Sequence, residues 1–332
     1  MKEINIGIQV SSLGERCGIY TYASRLNKYL NSTKKDKYNE DIKVNSFMFA
    51  NKPKAKFDVL SIQYEPGLMQ PQKLQWFLNK YDNVPVVITA HHIGYLENFY
   101  PILDGIVLHS EDQILGEKPW VYRVIPHPAL VYPKKDKEKL RKKYNLPLDK
   151  KIIGTAGFIT GTGKNLPLTV KEILKRLNDD EFLYLITSFW KGGDFGRLHD
   201  ILSVVKDMGK EKQFRIDTDF VSDEILNEKM QACDLLYAWC QIGPNDKGSQ
   251  SGIAADMYGS RTKLIVKNSA HYSFIGSQDK VLIGRENPSE FADDVIYALR
   301  KEDLNDVQNP EWLSWENQVK EYIDFFQEIL GE

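Results

Sequence analysis

Gln250-Ser251-Gly252-Ile253-Ala254-Ala255-Asp256-Met257-Tyr258-Gly259 decides how this chain is read. Small residues and a glycine stand where a helix would begin, so the free N–H groups of its first turn and the positive end of its dipole can meet an anion. Earlier in the same half, Ile152 to Ala156 reads as an apolar strand, followed by the turn Gly157-Phe158-Ile159-Thr160-Gly161-Thr162-Gly163-Lys164. A glycine-rich turn that ends in a lysine is a second anion-facing element. Together the two stretches point to a diphosphate held between two loops at the carboxyl edge of a parallel sheet, where open α/β sheets bind their ligands. The ligand class this implies is a nucleotide, a nucleotide sugar being the reading favoured.

The rest of the chain sets the frame. Its 332 residues are about twice the common domain size, so two domains, each able to bury a core, are expected. Hydrophobic residues at 42% and charged residues at 27% are those of a soluble globular protein, and a formal charge of −2 supplies no global attraction to nucleic acid or anionic membrane. No apolar run reaches the eighteen or so residues of a spanning helix. Met1-Lys2-Glu3-Ile4 lacks the apolar region of a signal peptide, so a cytoplasmic location is expected. Cys17, Cys233 and Cys240 show no CxxC pairing and read as free thiols, with no disulfide framework and no metal site.

In chain order, Ile4 to Val10 reads as a buried strand, Ser11 to Gly18 as a loop, and Ile19, Tyr22, Ala23, Leu26 and Leu30 recur at helical spacing. Gly14 and Gly18 are either ordinary turn glycines or the means by which the loop backbone comes close to a substrate. Phe57 to Ile62 is a strand ending in Gln63-Tyr64-Glu65, whose polar groups are expected to point toward a cleft. Val84 to Ala90 is another, running into His91-His92-Ile93-Gly94. A pair of histidines there is either functional or a packed structural feature; zinc is disfavoured because strand neighbours point to opposite faces. Gly105 to Leu108 and Tyr122 to Ile125 complete an alternating first domain.

Pro133 to Lys143 is a dense charge run, read as a solvated helix at a domain boundary in preference to a nucleic-acid or lipid contact. Beyond it, Gly157 to Lys164 fails the P-loop pattern at two positions, since Phe158 stands where the first glycine belongs and Asn165 follows the lysine. Leu166 to Leu177 reads as an amphipathic helix, and Phe182 to Ser188, Phe214 to Asp217, Leu235 to Ala238 and Lys263 to Val266 as strands. Ser222 caps a helix reaching Met230. Asp256 either stabilises the start of its helix or accepts hydrogen bonds from a ribose. The tail carries Trp315, Val319, Tyr322, Ile323, Phe326 and Ile329 on one face and needs a surface to dock on.

The ordered set resembles the retaining GT-B glycosyltransferases of family 4, the group that includes sucrose-phosphate synthases. The residues that carry the likeness are Gly14 to Tyr20, Val59 to Glu65, Thr89-Ala90-His91-His92, Ile125-Pro126-His127, Gly157-Phe158-Ile159 with Lys164, and Ser314-Trp315-Glu316. The resemblance implies two Rossmann-like doubly wound domains facing a cleft. They would comprise residues 1–130 on the acceptor side, a linker 131–150, a donor domain 151–308, and a C-terminal helix, 309–332, crossing back to the first domain. It implies a hexosyltransferase that moves a sugar from a UDP- or GDP-type donor with retention and without a metal or other cofactor. Lys164 would stabilise charge on the leaving diphosphate, aided by the N–H groups of Gly252 and Ile253 beside Ser251. Asp256 would bind ribose, Val221 with Phe220 would border the base, and Gly157 would line the donor loop. His91 would contact sugar or acceptor with Gly14 at the cleft floor, and Gln63, Glu65 and His92 would lie on the acceptor side.

Two departures stand out. The first of two family glutamates has no carboxylate counterpart near Gly248-Ser249-Gln250, and Phe158 replaces an arginine, a loss that Arg261, Lys247 or Lys191 would have to make good. A non-catalytic GT-B subunit that binds a partner therefore stays open, as does a P-loop-like nucleoside triphosphatase. The acceptor, whether glycan, lipid-linked sugar, protein, metabolite or modified nucleobase, is not specified by the sequence.

Overall fold

Near-continuous apolar runs, the mark of strands buried on both faces, recur along the chain and assemble into two parallel sheets. In the computed structural model the described residues are all but 1, 12, 14–16, 33–41, 115, 117, 161–162, 191–192, 242–248, 277–280, 302–303, 305 and 332. The chain runs β1 (Lys2–Gln9), α1 (Gly18–Ser32), β2 (Ile42–Phe49), β3 (Val59–Tyr64), α2 (Pro71–Lys80), β4 (Val86–Ala90), β5 (Gly105–Leu108) and β6 (Tyr122–Val124). It continues through α3 (Lys137–Lys143), β7 (Lys151–Ile159), α4 (Leu166–Leu174), β8 (Glu181–Phe189), α5 (Phe195–Asp207), β9 (Phe214–Asp217), α6 (Asp223–Gln231) and β10 (Leu235–Ala238). It closes with α7 (Gly252–Gly259), β11 (Lys263–Lys267), α8 (Ser273–Gly276), β12 (Val281–Gly284), α9 (Pro288–Arg300) and α10 (Trp315–Ile329).

Two compact units result. Met1–Pro128, Asp246–Gln250 and Trp315–Glu332 form one; Ala129–Asn245 and Ser251–Ser314 form the other. The first holds the sheet β2-β1-β3-β4-β5-β6 and the second β12-β11-β10-β7-β8-β9, all pairs parallel. In the second sheet the chain adds strands outward on one side of β7 and then returns to its other side at β10. That reversal is the topological switch point, where doubly wound sheets open a crevice at the strands' carboxyl ends.

Within the first unit α10 lies on α1. Trp315 is fully buried and stacks on Tyr29 with ring centroids 5.7 Å apart, and the hydroxyls of Tyr22 and Tyr322 are 2.6 Å apart. Phe325, which was not on the expected apolar face, fills the space over Gly105 that a β-carbon there would need. The basic run forms α3 and most of its charged side chains are exposed, as expected of a solvated helix, with Arg141 the buried exception. Arg141 of α3 is buried in the second unit, donating to Ala232 O at 3.0 Å and pairing with Asp234, and Lys143 and Lys135 both bind Glu228. No helix among the described residues is long and apolar enough to cross a membrane.

Candidate functional site

β7 does not end at Ala156. It continues to Ile159, because Ile159 is buried and the strand keeps its register with β8 through Ile159↔Phe189. Gly157 therefore sits inside the strand, at φ +123°, a backbone conformation that L side chains rarely adopt. The reason is on its open side. A β-carbon on Gly157 would lie 1.9 Å from Lys164 Nζ and 3.4 Å from Ile253 Cγ2, so the missing side chain makes the seat in which the ammonium rests. Lys164 Nζ donates to Ala156 O at 3.1 Å. Although the residue as a whole is only partly buried, desolvation of the enclosed ammonium pushes its pKa down to about 8, partly offset by the Cys240 thiol. The lysine is thus still largely protonated at neutral pH. The continued strand also removes the footing of the P-loop reading, since Phe158 and Ile159 are extended where a phosphate-wrapping loop would begin.

The switch point brings a second element to the same edge. Ser251 is the N-cap of α7, its Oγ accepting from Ala254 N at 3.4 Å and its own N–H donating to His271 O at 3.4 Å. Gly252 and Ile253 occupy the first turn, where N–H groups have no carbonyl four residues back inside the helix. The exit from β10 is laced to the lysine turn, since Gln241 N donates to Gly163 O at 2.6 Å. Gly157, Lys164, Ser251, Gly252 and Ile253 thus belong to one neighbourhood of the second unit, joined by the Ile253 methyl above Gly157. Val221 follows β9 and is partly buried. Its neighbour Phe220 lies parallel to Phe158, within 5° and with centroids 6.2 Å apart, so the position that lacks a guanidinium is an aromatic pair.

Asp256 departs from its expected role. It is 3% exposed, and its Oδ1 accepts the N–H of Leu130 at 3.0 Å. Its geometry supports anchoring of the chain that enters the second unit, and not a ribose contact. Arg261 cannot replace the missing guanidinium, because it stands past the far end of α7 and bonds Gln308 O and Glu311. Lys191 and Lys247, the other two substitutes considered, lie outside the described residues.

The first unit carries a histidine cluster. His91, His109 and His127 follow the neighbouring strands β4, β5 and β6 and surround Tyr22, with ring centroids 4.7, 5.4 and 4.9 Å from it. His91 Nε2 donates to Gln63 Oε1 at 3.0 Å, which leaves the Nδ1 lone pair as its acceptor. Burial, reinforced by His109 and His127, holds the His91 pKa well below the usual imidazole value, and burial pushes His109 down to about 4. Both rings are neutral at pH 7.

Gln63 corrects the expectation that Gln63, Tyr64 and Glu65 all face a cleft. Gln63 and Tyr64 are fully buried, and the Gln63 amide donates toward Ser61 and Thr89 while holding His91. Only Glu65 stays partly exposed, as do His91 and His92. Gly14 lies outside the described residues. Gln250, read from sequence as part of the anion loop, belongs to the first unit. Its amide accepts from His127 N at 2.7 Å and donates to His109 O, tying the ends of β5 and β6 together. His109 was passed over although it directly follows a recognised strand, as His91 does; that shared position was the available signal.

No protein-family model and no curated protein sequence matches this chain. Solved structures do. A sucrose-phosphate synthase from Thermosynechococcus elongatus is similar at TM-score 0.71 with 12% identity, each chain covered to 99%. A glycosyltransferase from Rickettsia africae is similar at TM-score 0.71 with 15% identity, again over 99% of each chain. Anabaena HepE in complex with UDP and glucose is similar at TM-score 0.69 with 10% identity, over 99% of this chain and 98% of that one. The fold is that of the GT-B glycosyltransferases, with two Rossmann-like parallel sheets.

Proposed function

We propose that this protein is a glycosyltransferase that takes a sugar from a nucleoside diphosphate donor and passes it, with retention of anomeric configuration, to an acceptor bound by the first unit. The observation that carries the reading is the seating of the Lys164 ammonium over Gly157 at the β7–β10 switch point. A seat made by removing a side chain holds a cation at one place on the strand edge, beside N–H groups at the start of α7. Such preorganised charge is what a departing diphosphate requires. The fold shared with HepE, which was solved in complex with UDP and glucose, supports a UDP-type donor.

In the proposed reaction the bond between the sugar's anomeric carbon and the β-phosphate oxygen breaks, and both electrons leave with the phosphate. The acceptor hydroxyl adds to the same face of the sugar, and its proton passes to the departing phosphate oxygen. Lys164 and the N–H groups of Gly252 and Ile253 meet the charge that develops. No metal enters this sequence. Gly157 shapes the donor loop, Val221 and Phe220 border the base, and His91, held by Gln63, presents its Nδ1 lone pair or ring edge to the sugar or acceptor. Glu65 and His92 belong to the acceptor side. Domain roles follow the same reading, with the donor on the second unit, and the proposed setting is the cytoplasm.

The test is a melting-temperature panel with UDP, GDP, ADP, dTDP and their sugar conjugates, with ATP as control, each with and without magnesium. A ligand at a hundred times its dissociation constant adds about 2.7 kcal/mol to the folded state. The reading expects a metal-independent rise with one diphosphate, lost in Lys164→Ala. A rise with magnesium and ATP alone contradicts it. A second reading, a GT-B subunit without activity, is favoured by one observation, the diversion of Asp256 to Leu130; it expects no response across the panel.

A further inference from the structure

A second lysine shares the edge occupied by Lys164. Lys267 is the last residue of β11 and is only 9% exposed. Its Nζ donates to Cys240 O at 3.0 Å and lies 5.4 Å from the centroid of the Trp239 ring; among the described residues these are its polar and ring contacts, and no carboxylate pairs with it. An ammonium carries three donors, and a buried one left with a single carbonyl is costly unless an anion completes its shell. Lys164 shows the same pattern, with Ala156 O as its acceptor.

The two lysines converge on one stretch of chain. Cys240 lies just past β10, the strand between β11 and β7. Its carbonyl takes the Lys267 ammonium, and its sulfur acts electrostatically to favour the protonated form of Lys164. The next residue, Gln241, bonds Gly163 in the turn that presents Lys164. Phe158 contributes an aromatic ring stacked on Phe220 and no charge.

We propose that Lys267 is a second cation of the anion site, so that the two charged phosphates of the ligand are met by two buried ammonium groups, Lys164 on the β7 side and Lys267 on the β11 side. This rests on the donor-site reading above and adds a residue that selects diphosphate over monophosphate. Lys267 stands ready for charge that the described residues do not supply.

The experiment titrates wild type, Lys267→Met and Lys267→Gln with UDP, GDP, UMP, GMP and inorganic pyrophosphate by calorimetry, and records the melting temperature of each unliganded protein. Expected is a loss of about ten- to hundredfold in affinity for the diphosphate and pyrophosphate, the scale of a charge-assisted hydrogen bond, with the monophosphate changed by less than about threefold. Both unliganded variants should melt at or above the wild-type temperature, since an incompletely paired buried charge has been removed. Lys267→Gln retains a donor for Cys240 O, so it carries the test if Lys267→Met does not fold. Unchanged diphosphate affinity with lowered melting temperature in the variants overturns the inference and leaves the donor reading standing. Pyrophosphate binding that depends on Lys267, without binding of either nucleoside diphosphate, upholds the cation pair and removes the donor reading. No binding of any of these anions by wild type removes both.

Discussion

Lys164 occupies the side-chain space of Gly157: its Nζ lies 1.9 Å from where a β-carbon on that glycine would stand. The two residues are seven positions apart, and each explains the other. The positive φ of Gly157 and the bent-back lysine form one unit that holds a cation at the end of β7.

Gly157→Ala therefore does two things at once. It places a methyl group where the ammonium sits and forces an L residue into an unfavourable backbone region, a cost of about 1–3 kcal/mol. Chemical denaturation should show that loss, and titration with the diphosphate that raises the melting temperature should show at least about tenfold weaker binding. Unaltered binding would mean that the lysine does not need its seat.

Lys164→Ala should lower the rate of sugar transfer by about a hundred- to thousandfold, the scale seen when a preorganised charge-stabilising group is removed. The ratio kcat/KM should also decline as pH rises through about 8, as the ammonium of the free enzyme loses its proton. A bound diphosphate shifts the corresponding decline in kcat upward, because its negative charge favours the protonated lysine.

Asp256→Asn keeps an oxygen for the Leu130 N–H and should leave both stability and nucleotide affinity within about twofold to threefold of wild type. Asp256→Ala leaves that buried N–H unpaired and should cost about 1–3 kcal/mol in denaturant unfolding, with nucleotide affinity unchanged in the protein that remains folded. A selective loss of ribonucleotide binding in Asp256→Asn would restore the ribose role.

Acid should destabilise the first unit through its histidines. The folded-state pKa values of His91 and His109 lie below the ordinary 6.5, so below pH 6.5, and for His109 down to about 4, the unfolded chain binds protons that the folded chain refuses. Stability therefore falls as pH falls in that window, by about 1.4 kcal/mol per pH unit for each histidine, and is unaffected by them above it. Denaturant unfolding at pH 7, 6 and 5 should show this slope, reduced by one histidine's share in His109→Asn. A flat profile would mean that these rings are solvated.

Much of the fold was legible because burial on both faces writes itself into local sequence. β5, β9 and β10 have the bounds their apolar runs suggest, and Ser222 caps α6 as its position implies. Elements at the margins were not legible. β2 is an edge strand, interrupted by Asn45 and Ser46 and mostly half-buried, and β12 is a four-residue edge strand, so neither carries a long apolar run.

The site was legible where a residue's meaning is local. Lys164 and the start of α7 announce themselves as cation and helix terminus, whereas Gly157, read as the first residue of a turn, lies inside β7. It was illegible where meaning depends on distant partners. Gln250 finds its acceptor and donor at His109 and His127, 141 and 123 residues away. Lys267 is an ordinary strand-end lysine until Cys240 O, 27 residues earlier, is seen to be its acceptor. Asp256 looked like a ligand carboxylate because nothing near it in sequence reveals Leu130, 126 residues back.

The most direct measurement is the crystal structure of the protein grown with the nucleoside diphosphate that raises its melting temperature most. The account predicts phosphate oxygens within hydrogen-bonding distance of Lys164 Nζ and of the N–H groups of Gly252 and Ile253, at the carboxyl edge of β7 and β10. A nucleotide bound elsewhere, or bound with Lys164 still turned onto Ala156 O and no phosphate beside it, would contradict the account.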